Sequence, residues 1–104
     1  MDVLVGLDLG TSSVKAVVMR RDGRLLAAAG EETTLYTPQP GWAEQDPQDW
    51  LAASLRALQR AVAESGVSAQ QVAGVGVTGQ MHSLVCLDGA GEVLRPAILW
   101  ADSR

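Results

Sequence analysis

The run Val3–Leu9, VLVGLDL, is apolar except for one acid, Asp8. A run of this kind suits a strand covered on both faces better than one with a wet side. The polar turn Gly10-Thr11-Ser12-Ser13 follows it, then a β-branched run over residues 14–19, Asp22-Gly23, and another apolar run over residues 25–30. Asp-Gly between two apolar runs predicts a hairpin, because Gly accepts positive φ and Asp tolerates it. The chain is therefore expected to open with three strands in a meander.

Residues 31–45 carry Thr33, Thr34, Pro38, Pro40 and Gly41 without periodicity, which predicts a long loop. A helix should then begin at Asp46 as N-cap, with Pro47 at the first helical position and Asp49 where the helix dipole favours an acid. Leu51, Leu55, Leu58 and Val62 recur at helical spacing as the expected buried stripe, with Arg56, Gln59, Arg60 and Glu64 facing water, and Gly66 as C-cap. Val72–Thr78, VAGVGVT, reads as a strand whose Gly74 and Gly76 allow a close neighbour. Residues 83–87 and 92–98 read as a second hairpin across Asp88-Gly89-Ala90-Gly91. Strands that meander, then a helix, then a returning strand require a mixed sheet with the helix on one face.

At 104 residues the chain has room for one domain, and its 47% hydrophobic and 19% charged residues are those of a globular one. Twelve acids against eight Lys and Arg give a net charge of −4, which argues against nucleic acid or an anionic membrane as a partner. The single cysteine, Cys86, closes no internal disulfide, and no basic-then-apolar export signal opens the chain. These features together read as cytoplasmic.

Two segments carry candidate chemistry. After the first strand, Asp8 can hold Mg²⁺ through water, while the amides of the Gly10 turn and the hydroxyls of Thr11 and Ser12 can cradle phosphate oxygens, with Lys15 adding a positive charge. An ordinary hairpin turn is the alternative; an acid buried in the strand would need a partner and so favours the functional reading. After the fourth strand, Gln80 and neutral His82 can both donate and accept toward a polyol, and Met81 offers an apolar contact. On spacing alone His82 is more often a satisfied loop or core histidine than a ligand, and no second His or Cys lies at metal-ligand spacing. At the end of the chain Trp100 could stack on a ligand and Asp102 accept from its hydroxyls, although an aromatic closing a strand is more often core. Trp42 and Trp50 read as packing residues.

The segment Asp8-Leu9-Gly10-Thr11-Ser12 resembles the phosphate motif of actin-like ATPases. With Gly41-Trp42-Ala43-Glu44-Gln45-Asp46-Pro47, Gly79-Gln80-Met81-His82 and Leu94-Arg95-Pro96-Ala97-Ile98-Leu99-Trp100, in order and at matching spacing, the whole chain resembles the opening portion of the FGGY carbohydrate kinases. The resemblance implies an α/β, actin-like (ribonuclease H-like) mixed sheet, βββαβ plus a following hairpin, forming the N-terminal part of the first of two domains. It implies transfer of phosphate from ATP, with Mg²⁺, to a ketose such as D-xylulose. In that scheme Asp8 serves metal and phosphate, Gly10, Thr11 and Ser12 form the phosphate turn, and Met81 and His82 contact the sugar, with Gln80, Trp100 and Asp102 as additions.

Gln80 and Arg95-Pro96 resemble the branch that phosphorylates D-xylulose; Met81-His82-Ser83-Leu84-Val85 and Trp100-Ala101-Asp102 resemble the gluconate branch. The family's catalytic base and most of its adenosine pocket belong to later sequence. Residues 1–104 are accordingly expected to be a partial first domain with little kinase activity alone, prone to self-association through apolar faces. A non-catalytic Hsp70-like nucleotide module would have no use for Gln80-Met81-His82. A nuclease of ribonuclease H type would need further acids, and the fourth strand holds none.

Overall fold

The computed structural model describes residues 2–104. The three N-terminal runs form strands β1 (Val3–Leu9), β2 (Ser13–Arg20) and β3 (Leu25–Glu32), a meander with both pairs antiparallel. The first turn follows its chemistry: Gly23 takes φ 93° and donates its N–H to Arg20 O, while Asp22 accepts from Arg24 N at 3.0 Å. Then come β4 (Glu44–Gln45), helix α1 (Pro47–Ser65), a 3₁₀ turn (Ala69–Gln71), β5 (Val72–Thr78) and β6 (Ala97–Ile98). β5 returns parallel to β1, so the main sheet runs β3-β2-β1-β5 and is mixed as expected.

The helix ends where its caps dictate. Asp46 accepts from Gln48 N at 2.9 Å, Pro47 follows, and Gly66 closes the helix in the left-handed region at φ 75°. Its buried face, however, differs from the leucine stripe. Ala53, Ser54, Ala57 and Ala61 face the sheet, Leu58 and Val62 are only partly buried, and Leu51 and Leu55 stand 57% and 51% exposed. The reason is steric. The sheet already supplies bulk through Val3, Val5, Leu7, Val14 and Val18, and a helix face of methyl groups can approach it closely. Arg56 and Arg60, on the outer flank, both reach Glu31 at the end of β3, at 2.8 and 3.1 Å.

One helix covers one face, so β1 is not buried on both sides. Val3, Val5 and Leu7 lie under α1; Leu4, Gly6 and Asp8 lie on the opposite face, with Val17, Met19 and Gly74 around a cavity of about 430 Å³ beside Gly6. The expected close approach at the β5 glycines is also absent. A Cβ at Gly74 would meet only Leu4 Cδ2 at 3.9 Å and one at Gly76 nothing, whereas one at Gly6 would lie 3.0 Å from Val17 Cγ2.

The second hairpin forms its turn but not its ladder. Asp88 accepts from Ala90 N and Glu92 N, and Leu94 N donates to Cys86 O, yet only single bridges, Leu84 to Ile98 and Leu87 to Val93, link the two arms. Pro96 has no N–H for a ladder, and β6 pairs instead with β4: Glu44 opposite Ile98, Gln45 opposite Ala97. Residues 31–45 are therefore not all loop, since β3 extends to Glu32 and β4 ends the segment.

Candidate functional site

β1 and β5 run parallel side by side, so their C-terminal ends, Asp8 opposite Thr78, deliver the two loops that follow them to one place. The carboxyl ends of neighbouring parallel strands are where α/β sheets bind ligands. A cavity of about 360 Å³ opens there. Asp8, Gly10 and Thr11 line one side; Gln80, Met81, His82 and Trp100 line the other. Two motifs some 70 residues apart in the chain, read from sequence as a phosphate turn and a polyol loop, thus share one cavity.

Gly10 donates its N–H to Ser13 O at 2.9 Å, and a Cβ there would sit 3.0 Å from that carbonyl, so a larger residue would push the tight turn open by a few tenths of an ångström. Among the described residues, nothing engages the N–H groups of Thr11 and Ser12, which leaves two donors free for an anion. The Asp8 side chain is exposed and, among the described residues, makes no hydrogen bond or ion pair. The buried acid in need of a partner that the sequence predicts is therefore not found. Asp8 lies on the uncovered face, where an ionised carboxylate stays hydrated without a protein partner. Lys15, opposite Asp8 in the β1–β2 register, is exposed and lines a neighbouring cavity on the open face with Val17 and Thr78 rather than the one at the turn. Ser12 is exposed and does not line the cavity.

On the other side Met81 is 77% exposed, and Trp100, at 58%, is no core residue. His82 takes φ 60°, the sole non-glycine in the left-handed region among the described residues. Such a conformation costs roughly 1–3 kcal/mol and persists only where surroundings enforce it. Gln80 differs from its expected role, because its amide is turned toward the protein: Nε2 donates to Gly10 O and to Gln45 Oε1, and Oε1 accepts from Thr11 Oγ1, all at 3.1–3.3 Å.

Asp102 stands apart from the cavity. Its side chain, 2% exposed, accepts from Ala43 N at 2.8 Å and from the Arg104 guanidinium, whose charge and hydrogen bonds hold the carboxyl well below its usual range. Arg104 also reaches Glu44 at 2.8 Å and lies 3.7 Å over the Trp42 ring, and Arg95 bonds the same Glu44 carboxylate. This network, which fastens the C-terminal segment to β4, links the two segments through contacts 51 to 62 positions apart and had no local signal. Gln45 was missed as well. It is fully buried, and its neighbours in the Gly41–Pro47 motif carried only a resemblance.

Among the described residues no group of three or more His, Cys, Asp or Glu side chains could hold a metal, and no helix is long and apolar enough to cross a membrane. The fold and the cavity at the β1 and β5 ends define an actin-like α/β domain, the architecture of the sugar kinases it superimposes on. The family model for the FGGY family of carbohydrate kinases, N-terminal domain, matches residues 3–104. The chain is 40% identical over 104 residues to the xylulose kinase of Bacillus subtilis and 45% identical over 100 residues to that of Escherichia coli K12, covering 21% and 20% of their lengths. Over 98% of its residues it superimposes on the xylulose kinase from Rhodospirillum rubrum with TM-score 0.93 at 39% identity, covering 21% of that chain. Over 97% it superimposes on a gluconate kinase from Lactobacillus acidophilus with TM-score 0.89 at 28% identity, covering 20% of that chain. The chain belongs to the FGGY family of carbohydrate kinases and spans about a fifth of the length of the curated relatives it matches.

Proposed function

We propose that this chain is the N-terminal part of an ATP-dependent sugar kinase acting on a ketose of the D-xylulose kind, with a second actin-like domain completing the enzyme. The observation that carries this reading is the meeting of the Gly10–Thr11 turn, whose Thr11 amide is free, with Met81 and His82 at one cavity that Asp8 also lines. Kinship with xylulose kinases at 40–45% identity supports the ketose as acceptor.

Phosphoryl transfer is mainly positioning and neutralisation of charge. The turn amides would hold the terminal phosphate oxygens. Asp8, exposed and uncommitted next to the turn, fits Mg²⁺, which keeps much of its water shell and takes one or two carboxylates plus phosphates. Bound there, Mg²⁺ would offset phosphate charge. Met81 would lie against the sugar's C–H face and His82 would donate to or accept from its hydroxyls, with Trp100 as the closing wall. Gln80 shapes the loop rather than reading the sugar, and Asp102 is committed to Ala43 N and Arg104. Among the described residues Asp8 is the sole carboxylate lining the cavity and is assigned to the metal, so in this reading the base that takes the sugar proton comes from the completing part of the enzyme.

Titration of the isotope-labelled chain tests this. D-Xylulose should shift Met81 and His82, Mg·ATP should shift Thr11 and Ser12, and Asp8→Asn should remove the Mg²⁺-dependent part. ATP turnover with xylulose by the chain alone, abolished by Asp8→Ala, would overturn the assignment of the base elsewhere. The likeness to a gluconate kinase, together with Met81-His82-Ser83, supports gluconate as a second reading; shifts with gluconate and none with xylulose would select it.

A further inference from the structure

Gln45 bonds residues from both walls of the cavity, Thr11 on one side and Gln80 on the other. Fully buried in β4, it donates through Nε2 to Thr11 O at 2.6 Å, with Thr34 O and Thr33 Oγ1 at 3.3 and 3.4 Å. Its Oε1 accepts from Trp50 Nε1 at 2.9 Å and from Gln80 Nε2 at 3.1 Å. The indole N–H can only donate, so Trp50 fixes which end of the Gln45 amide faces it. Gln45 Nε2 must then face Thr11 O. Gln80, meeting an acceptor at Gln45, must in turn present Nε2, which leaves its Oε1 for the Thr11 hydroxyl. The donor-only ring on α1 thus sets the direction of the whole chain of bonds, and the loop it secures holds His82, two residues on, at φ 60°.

We infer that Gln45 is a positioning residue that locks the Gly10–Thr11 turn and the Gln80–His82 loop into one unit, so that occupancy of one favours occupancy of the other. The lock is a property of the free chain; its use in coupling nucleotide to sugar rests on the function proposed above. Gln45 touches neither ligand, being sealed beneath the cavity, and so acts only through Thr11 and Gln80.

Gln45→Met keeps the volume and removes every polar partner; Trp50→Phe removes only the donor that orients it and guards against a failure of Gln45→Met to fold. In both, amide order parameters at Gly79–His82 should fall from the rigid range near ~0.85 toward ~0.6, and His82 should lose its left-handed coupling constant, while Val5 and Val18 in the sheet stay rigid. Gln45→Glu, which keeps an acceptor for Trp50 but loses the donor to Thr11, should release the turn. In the second arm, Mg·ADP should tighten D-xylulose binding to the unaltered chain. Gln45→Met should abolish that tightening while changing each separate affinity less than threefold. Unchanged order at the loop in both variants, or equal loosening at Val5 and Val18, would overturn the lock. If the unaltered chain binds no xylulose, the proposed function fails while the relaxation arm still decides the lock; if xylulose and Mg·ADP bind with undiminished coupling in Gln45→Met, the positioning role fails alone.

Discussion

Two substitutions on α1 oppose the face that leucine spacing selects to the face that is buried. Leu55 is 51% exposed, so truncation to Ala removes only about half of the ~1.5–3 kcal/mol that full burial is worth, and Ala is the better helix former. The expected loss is about 1 kcal/mol or less. Were Leu55 a core residue, the loss would be roughly 2–5 kcal/mol. Ala57 is 0% exposed against the sheet, and Leu there adds three carbons where there is no space, for about 1–3 kcal/mol of strain. At about 4–8 °C per kcal/mol for a domain near this size, Ala57→Leu should lower Tm by roughly 10 °C and Leu55→Ala by less than about 8 °C. Thermal and urea unfolding followed by circular dichroism measures both, with unchanged m-values confirming comparable states. A loss above about 2 kcal/mol for Leu55→Ala with a neutral Ala57→Leu would refute the alanine-faced packing.

Asp102 titrates below its unfolded value because Arg104 and Ala43 N stabilise its charge, so the stability it contributes is present above about pH 4 and is lost as pH falls toward its folded value. Melts from pH 7 down to 3 should show a steeper acid decline for the unaltered chain than for Asp102→Asn; parallel curves would argue against the Arg104 network. Gly10→Ala, whose Cβ would lie 3.0 Å from Ser13 O, should weaken Mg·ATP binding at least tenfold by titration calorimetry while β1 and β2 stay folded. Glu31→Gln breaks two half-exposed ion pairs with Arg56 and Arg60, so the loss should stay within about 1 kcal/mol and shrink in high salt, as denaturation at two ionic strengths will show. The exposed apolar groups on α1 and β5, Leu51, Leu55, Val75 and Val77, should make the chain self-associate with rising concentration, which Leu51→Glu with Leu55→Glu relieves; a monodisperse monomer by light scattering would contradict this.

What could be read directly from the sequence was local. The Asp22-Gly23 turn, the Asp46-Pro47 start and the Gly66 stop depend on residues within a few positions of one another, and each forms where its chemistry requires. The helix face was misread because spacing identifies an apolar stripe without saying whether large or small residues are needed against the sheet. Bulk on β1 and β2 decides that, and only tertiary contact reveals it. The same limit separates the candidate site residues. Met81 and His82 stand open at the cavity, where a motif alone could place them. Gln80 and Asp102 carry equally polar side chains, but an amide or carboxylate in a loop can serve a ligand or a neighbouring backbone with the same atoms. Gly10 O and the Thr11 hydroxyl, about 70 residues before Gln80, and Ala43 N, 59 before Asp102, take up these atoms within the protein. Assigning such a residue from sequence therefore requires knowing what else competes for it. In this fold the competitor is fixed by a donor with no alternative, the indole of Trp50, whose single N–H directs Gln45, and through it Gln80, away from the ligand and onto the turn.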